Sequence, residues 1–377
     1  MLVSKTIKCG IVNPTKTKLR NYCKLCTSYI SHRVRRFISI KTNKTLVKPF
    51  SCHILITNNC NLRCKMCSFW KIKSENELSL SEIKKIIDYV HEWGVPTITI
   101  GGGEPLLRKD AVDIIRYSSS KGIITNLITN GTLINESLAK SLMESNLFRI
   151  GVSIDGSKPE IHDKIRGVPG TFSRAVNGIK LLNKYKDLLG SDTIIYIQTT
   201  IMNDNVDDVP NIVELSRELG VRFLCQPYLP FMVNDDKGNE PDSKKIVKLM
   251  DYLIDFKKKH GIIINPIYHL KFIKKLYSGD FRYVKCTIGY DIITIDAKGD
   301  VWLCQYYELS DKPIGNVRSC DLKEIWKSDR FEMFRRHALK CRMRCALNCT
   351  LISSKLERFV YDELALPVIR NLKRWFP

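Results

Sequence analysis

Apolar and amphipathic stretches alternate along residues 50 to 228 with a rhythm that predicts strand and helix in turn. His53-Ile54-Leu55-Ile56-Thr57 is β-branched, apolar and closed by Asn58-Asn59, the signature of a short buried strand. Ser81 to Trp93 has helical periodicity, with Ser81 as its opening residue, Glu82 in its first turn and Gly94 as its stop. Strand Thr97 to Ile100 then runs into Gly101-Gly102-Gly103-Glu104-Pro105. Helix Asp110 to Lys121, strand Ile123 to Ile128, helix 135–145 and strand Phe148 to Ile154 follow. Helix 172–186, strand Ile194 to Thr200, helix 207–219 and strand Arg222 to Gln226 complete six βα repeats. Glycine or polar residues close every strand, and right-handed crossovers would coil such units into a parallel, incomplete barrel. The fold class expected is therefore α/β, a partial (β/α)6 barrel.

Outside that region the pattern changes. Within residues 1–48, Leu19, Tyr22, Cys26, Tyr29, Ile30, Val34, Phe37 and Ile38 recur at helical spacing, with Lys18, Arg20, Lys24, Arg33, Arg35 and Arg36 largely elsewhere on the wheel. This segment contains no Asp or Glu. Such a basic amphipathic helix either docks on a membrane surface or partner, or packs on the main domain with a solvated basic face. Residues 229–284 read as a polar loop and helices near 243–259 and 268–278. Ile292 to Ile295, a turn over Asp296 to Asp300, and Val301 to Cys304 read as a β-hairpin, with a helix over 321–335 beyond it. The expected organisation is a basic segment 1–48, a barrel 49–228, a helical connection 229–284, a cysteine-rich extension 285–350 and a basic, aromatic tail 351–377.

Composition adds two points to this picture. Hydrophobic content of 44% and charged content of 27% suit a globular protein, but a formal net charge of +22 implies an anionic partner. The fourteen cysteines come without an apolar signal sequence or any uninterrupted segment long enough to span a bilayer. Clustered thiols in that setting favour metal centres in a reducing, cytoplasmic compartment over disulfides.

The densest chemistry is Cys60-Asn61-Leu62-Arg63-Cys64-Lys65-Met66-Cys67, directly after the first strand. Structural zinc wants four ligands, usually as two short pairs. Three thiolates on a four-iron cubane instead leave one iron open. The C-x3-C-x2-C loop, the Gly-Gly-Glu-Pro turn, and Val152-Ser153-Ile154-Asp155-Gly156 followed by His162-Asp163-Lys164-Ile165-Arg166-Gly167 resemble the radical S-adenosylmethionine (SAM) enzymes. The closest subset carries a SPASM or twitch-like extension for auxiliary iron–sulfur clusters.

The resemblance implies that Cys60, Cys64 and Cys67 hold a [4Fe–4S] cluster whose open iron is chelated by SAM. One electron then yields a 5′-deoxyadenosyl radical that abstracts a substrate hydrogen. It further implies that Gly102, Gly103 and Glu104 hold the methionyl ammonium and that Ser153 and Arg166 meet the carboxylate. Asn130, Asp155, Gln198 and Gln226 are expected to line the cavity. Met66 stands where many members carry an aromatic residue, and a thioether can pack on a ring too. Cys286, Gly299 and Cys304 match the opening of a SPASM domain, but the later run Cys341, Cys345, Cys349 is shorter than two clusters need. One auxiliary [4Fe–4S] cluster is therefore expected, from Cys286, Cys304 and members of that trio.

Cys320 is expected to be structural, and Cys9, Cys52 and Cys225 core or incidental; Cys23 and Cys26 read as ordinary helix positions. His162 and Tyr228 are accessible-looking candidates for a general base. A reductant such as ferredoxin or flavodoxin is an implied partner. The substrate expected is a peptide or protein, or a membrane lipid or headgroup, with cofactor biosynthesis as the alternative. A zinc-containing nucleic-acid binder would explain the charge but not the glycine-rich loop, and the aromatic platforms such binding uses are missing.

Overall fold

The computed structural model describes residues 16–42, 44–230, 239–279, 286–304, 312–341 and 345. Helix α1 (Lys16–Thr42) precedes strand β1 (Ser51–Leu55). The repeats then run α2 (Leu80–Glu92), β2 (Thr97–Gly101), α3 (Ala111–Ser120), β3 (Ile124–Thr129), α4 (Glu136–Glu144) and β4 (Arg149–Ser153). Two helices, α5 (Pro159–Arg166) and α6 (Thr171–Leu189), lead to β5 (Ile194–Ile201), then α7 (Val209–Glu218) and β6 (Arg222–Pro227). After α8 (Ser243–His260) and α9 (Ile267–Tyr277) come α10 (Ile288–Asp291), β7 (Ile292–Ile295), β8 (Asp300–Trp302), β9 (Gly315–Asn316), α11 (Leu322–Lys327) and α12 (Asp329–Lys340).

These strands form one open sheet in the order β6-β5-β4-β3-β2-β1-β7-β8-β9. The first six are parallel and lie side by side in chain order, as βα crossovers dictate. β7 adds to β1 in parallel, Ser51 opposite Ile292 and Ile54 opposite Ile295. The hairpin β7–β8 is antiparallel, and Asp296 stitches its turn by accepting from the amides of Lys298 and Asp300 and from Trp302 Nε1. The C-terminal extension thus continues the barrel's own sheet, a joint that hairpin periodicity alone could not reveal.

Alternation along the strands sorts the two faces. Cys52, Ile54, Ile98, Ile100, Leu127, Ile150, Val152, Ile195 and Ile197 are buried in one core with helix residues such as Ile83, Ile87, Ile114, Leu142, Ile179 and Ile212. Their alternates, including His53, Thr99, Asn126, Ser153, Gln198 and Gln226, are half-buried on the other face.

Two helix boundaries differ from the sequence expectation for identifiable reasons. α2 is capped by Ser79, not Ser81: the Ser79 hydroxyl accepts from the Glu82 amide while the Glu82 carboxylate reaches back to Ser79 N. The helix expected over 321–335 is broken at Ser328, whose hydroxyl caps α12.

α1 is seated by polar contacts. Asp291 is fully buried and accepts from Arg36 (2.6 and 2.7 Å), from Thr287 Oγ1 (2.6 Å) and pairs with His32 Nε2 (2.7 Å). Burial alone would raise the Asp291 carboxyl, but Arg36 and His32 hold it below the usual carboxylate range. Arg36, expected on the solvated face, is therefore inside. The segment behind α1 is gripped from the C-terminal side, where Trp326 Nε1 donates to Val47 O (2.8 Å) and Arg335 donates to Thr45 Oγ1 (3.0 Å). No helix among the described residues is long and apolar enough to cross a membrane.

Candidate active site

The cysteine loop leaves β1 beside the glycine loop that leaves β2, and backbone hydrogen bonds close the two like a zipper. Ile56 N donates to Gly101 O (3.0 Å), Gly103 N to Thr57 O (2.8 Å) and Glu104 N to Asn59 O (2.7 Å). This approach is why glycine is needed. A Cβ on Gly102 (φ +132°) would stand 2.3 Å from Thr57 O, and one on Gly103 2.2 Å from Asn59 O. Glu104 is buried, and its carboxylate accepts from Thr129 Oγ1 (2.7 Å), Asn130 N (2.7 Å) and Leu106 N (3.0 Å), bracing the third strand's loop against the second's.

A side-chain triangle extends the brace. Asn130 Nδ2 donates to Asn61 Oδ1 (2.8 Å), Asn61 Nδ2 to Thr132 Oγ1 (2.9 Å), and Thr132 Oγ1 to Asn130 Oδ1 (2.7 Å). Glu77 Oε1 accepts from Thr57 Oγ1 (2.9 Å) and Asn58 N (2.7 Å) and so fixes the turn ahead of Cys60. Asn61, Thr132 and Glu77 escape sequence reasoning because polar loop residues of this kind carry no periodicity.

From the other side the loop is held by α5. Arg63 N donates to Arg166 O (3.1 Å) and Lys65 N to Ile165 O (3.0 Å). Gly167 ends α5 at φ +74°, where a Cβ would stand 2.4 Å from Arg63 O. Periodicity does not predict α5: its eight residues carry too few apolar positions to show one, although Pro159 at its start and Gly167 past its end mark it. The last side chain of α5, Arg166, lies 2.5 Å from Asp155 Oδ2 and 3.7 Å from Cys64 Sγ. Burial works against the Arg166 charge, but Asp155 and Cys64 hold the guanidinium above the usual arginine range. Burial likewise pushes the Asp155 carboxyl up, against the pull of Arg166.

The three thiols are near enough that each of Cys60 and Cys67 feels the charge of Cys64. Burial pushes the Cys67 thiol up to about 12. Among the described residues no three Cys, His, Asp or Glu side chains converge as tightly as one metal ion requires. A four-iron cluster takes each thiolate at a separate iron. Met66 is buried with Leu62, Ile165, Met202 and Tyr228 beneath the loop.

Two expectations fail here. His162 is buried, and its Nδ1 accepts from Asp155 N (3.1 Å); burial, aided by Arg166, lowers its pKa to about 3. It is a neutral anchor for the Asp155 turn and not an accessible base. Tyr228 is equally buried in the apolar cluster under the cysteine loop. Of the residues expected to line the cavity, Gln198 and Gln226 are half-buried on the sheet face opposite the helices, and Ser153 ends β4 level with Gln198. Asp155 is fully buried instead, and Asn130 is turned to Asn61.

A second cysteine group lies in the C-terminal region. Cys286 feels the charges of Cys345 and Cys341, and burial pushes its thiol up to about 12. Because β8 runs back beside β7, Cys304 returns to the end of the sheet where Cys286 precedes α10. Cys52 and Cys225 are buried core thiols, and Cys320 is exposed. Cys23 and Cys26 fall within α1. Cys349, Cys9 and the tail 351–377 lie outside the described residues.

Comparison with known proteins supplies the family. Residues 54–216 match the model of the radical SAM superfamily, and residues 286–350 that of the SPASM iron–sulfur cluster-binding domain. The chain is 30% identical to the AdoMet-dependent heme synthase of Methanosarcina barkeri over 74% of its own length and 82% of that protein's. It is 27% identical to the cysteine-type anaerobic sulfatase-maturating enzyme of Clostridium novyi over 82% and 86%. Among solved structures, Streptococcus suis SuiB bound to S-adenosylmethionine superposes with a TM-score of 0.67 at 19% identity, covering 86% of this chain and 78% of SuiB. The matched regions imply SAM with its cluster in the first and auxiliary iron–sulfur in the second. Three thiols packed in one cluster, a backbone cradle too close for any Cβ and a guanidinium beside one thiol fit such a group. The chain belongs to the radical SAM superfamily and carries a C-terminal SPASM iron–sulfur domain.

Proposed function

We propose that this enzyme cleaves SAM reductively at Cys60, Cys64 and Cys67 and uses the resulting radical to take a hydrogen from a substrate lying against the half-buried face of the sheet. The observation that carries this reading is the cysteine loop pinned between the β2 glycine loop and α5, with Arg166 3.7 Å from Cys64 Sγ. When bound, the cluster and SAM supply the electron and the 5′-deoxyadenosyl group. The protein's part is positional. Gly102, Gly103 and Glu104 form the backbone rim for the methionyl ammonium, Glu104 acting through its brace on Asn130. Arg166 and Ser153 serve the carboxylate, with Asp155 and His162 fixing the turn that aims Arg166. Cys286, Cys304, Cys341 and Cys345 would hold one auxiliary cluster, which would supply an electron acceptor for the oxidised product.

For the substrate we favour a small molecule of cofactor biosynthesis, because a relative 30% identical over 82% of its length is named a heme synthase. A peptide or protein is the second reading, supported by the 27% identity to an enzyme named for maturing a sulfatase. A lipid substrate has only the charge and apolar pattern of α1 behind it. A low-potential electron donor such as ferredoxin or flavodoxin completes the scheme.

The test is anaerobic reconstitution followed by measurement of iron, sulfide and 5′-deoxyadenosine. Cys64→Ala should abolish deoxyadenosine formation, since two thiolates hold the cluster poorly. Cys304→Ala should leave uncoupled cleavage largely intact and stop product formation. Equal loss of cleavage in both variants would overturn the division between the two centres. An iron tetrapyrrole and a cysteine-containing peptide, offered in turn, should separate the substrate readings by which one raises deoxyadenosine release.

A further inference from the structure

Rotation of α1 about its axis is fixed by the wrong side chains for an ordinary packed helix. The face turned inward carries Tyr29, His32, Arg36 and Ser39, all buried, and its strongest contacts are the ion pairs to Asp291. The opposite face carries the exposed large apolar residues of the helix. Ile30 is 47% exposed, Val34 56%, Phe37 63% and Ile38 40%. At 100° per residue these four form one stripe, and Arg33 and Arg35 fall on its two borders. Lys41 continues the stripe, with its ammonium 5.9 Å from the Phe37 ring centroid.

An apolar stripe edged with cations is the chemistry that meets a bilayer interface, where the side chains enter the acyl boundary and the cations meet phosphate. Charge decides between possible occupants. Residues 1–48 hold no carboxylate side chain and the chain's net charge is +22, so a second copy would bring like charge to this face. An anionic lipid surface brings the opposite charge. We propose that α1 is a peripheral membrane anchor that lays Ile30, Val34, Phe37 and Ile38 into the interface of an anionic phospholipid bilayer while Asp291 holds the helix to the enzyme. Thr287 and Asp291, which seat α1, follow Cys286 by one and five residues, so the auxiliary region would rest close to the lipid surface.

The experiment uses the full-length reconstituted holoenzyme and vesicles of phosphatidylcholine alone or with about a third phosphatidylglycerol. Wild type should partition onto the anionic vesicles at least about tenfold better than onto neutral ones, and less as salt is raised. Val34→Asp and Phe37→Asp should each weaken partitioning by about tenfold or more, with uncoupled SAM cleavage unchanged. Leu188→Asp, at an exposed leucine on α6, should leave it unchanged. No binding by wild type, equal binding to both vesicle types, or wild-type binding by Phe37→Asp would overturn the proposal. So would a wild-type dimer that Phe37→Asp turns into a monomer in sedimentation without any vesicle binding, which would assign the face to a second copy.

Discussion

Arg166 touches a ligand candidate and a buried carboxylate at once, and its own charge depends on both. Removing one partner of such a pair strands the other charge in a low-dielectric interior. Arg166→Gln should therefore lower the unfolding free energy by about 3–5 kcal/mol, and adding Asp155→Asn should recover part of that loss. Denaturant unfolding of the four proteins of this cycle checks it; purely additive losses would mean that the two side chains act separately. The residues that contact across the site were unevenly legible. Cys60, Cys64 and Cys67 form a spaced triplet directly after the first strand, so pattern reaches them, whereas Gly103 and Arg166 were reached only through the resemblance of their motifs to a known family. Asn61, Glu77 and Thr132 act only by hydrogen bonds to other loops, and His162 looked accessible because a short helix hides its burial from any periodicity.

At the scale of single elements, α1 shows where an amphipathic reading goes astray. Its apolar positions were legible, but which face would be covered was not, because that depends on Asp291, more than 250 residues away in sequence. The Asp291 carboxyl is held below its ordinary range by Arg36 and His32 against the cost of burial. A depressed folded-state pKa stabilises above the unfolded value, about 3.9, and that stabilisation disappears as pH falls through the folded value. Asp291→Asn should accordingly cost stability at neutral pH and speed proteolysis within residues 27–42, with the difference from wild type shrinking below about pH 4. Limited proteolysis and unfolding across that range measure both. Arg335 works similarly on the far side of the linker, lying 4.2 Å from the Phe331 ring centroid and 4.5 Å from that of Trp326 while donating to Gly289 O.

Over the whole molecule, the six-repeat order of parallel strands was readable because each βα unit is local. The placement of β7 beside β1 was not, since a parallel neighbour more than 200 residues distant leaves no trace in either strand's composition. One consequence is thermodynamic. A shared sheet, together with the Arg318–Glu82 ion pair from the extension to α2, couples the SAM region to the auxiliary region. Far-UV circular dichroism and iron–sulfur absorbance should lose signal together in a single anaerobic denaturant transition. Two separated transitions would show independent units.

The pairing of β1 with β7 also sets a distance. Cys60 follows the C-terminal end of β1, whereas Cys286 precedes the N-terminal end of its parallel neighbour β7, so the two sulfur sets sit off opposite ends of one ladder. Four paired residues at about 3.3 Å each make that ladder about 13 Å long. The rungs between the two ends cannot hinge without breaking, so in the scheme proposed above the ladder's share of the span between the two cysteine sets would stay constant.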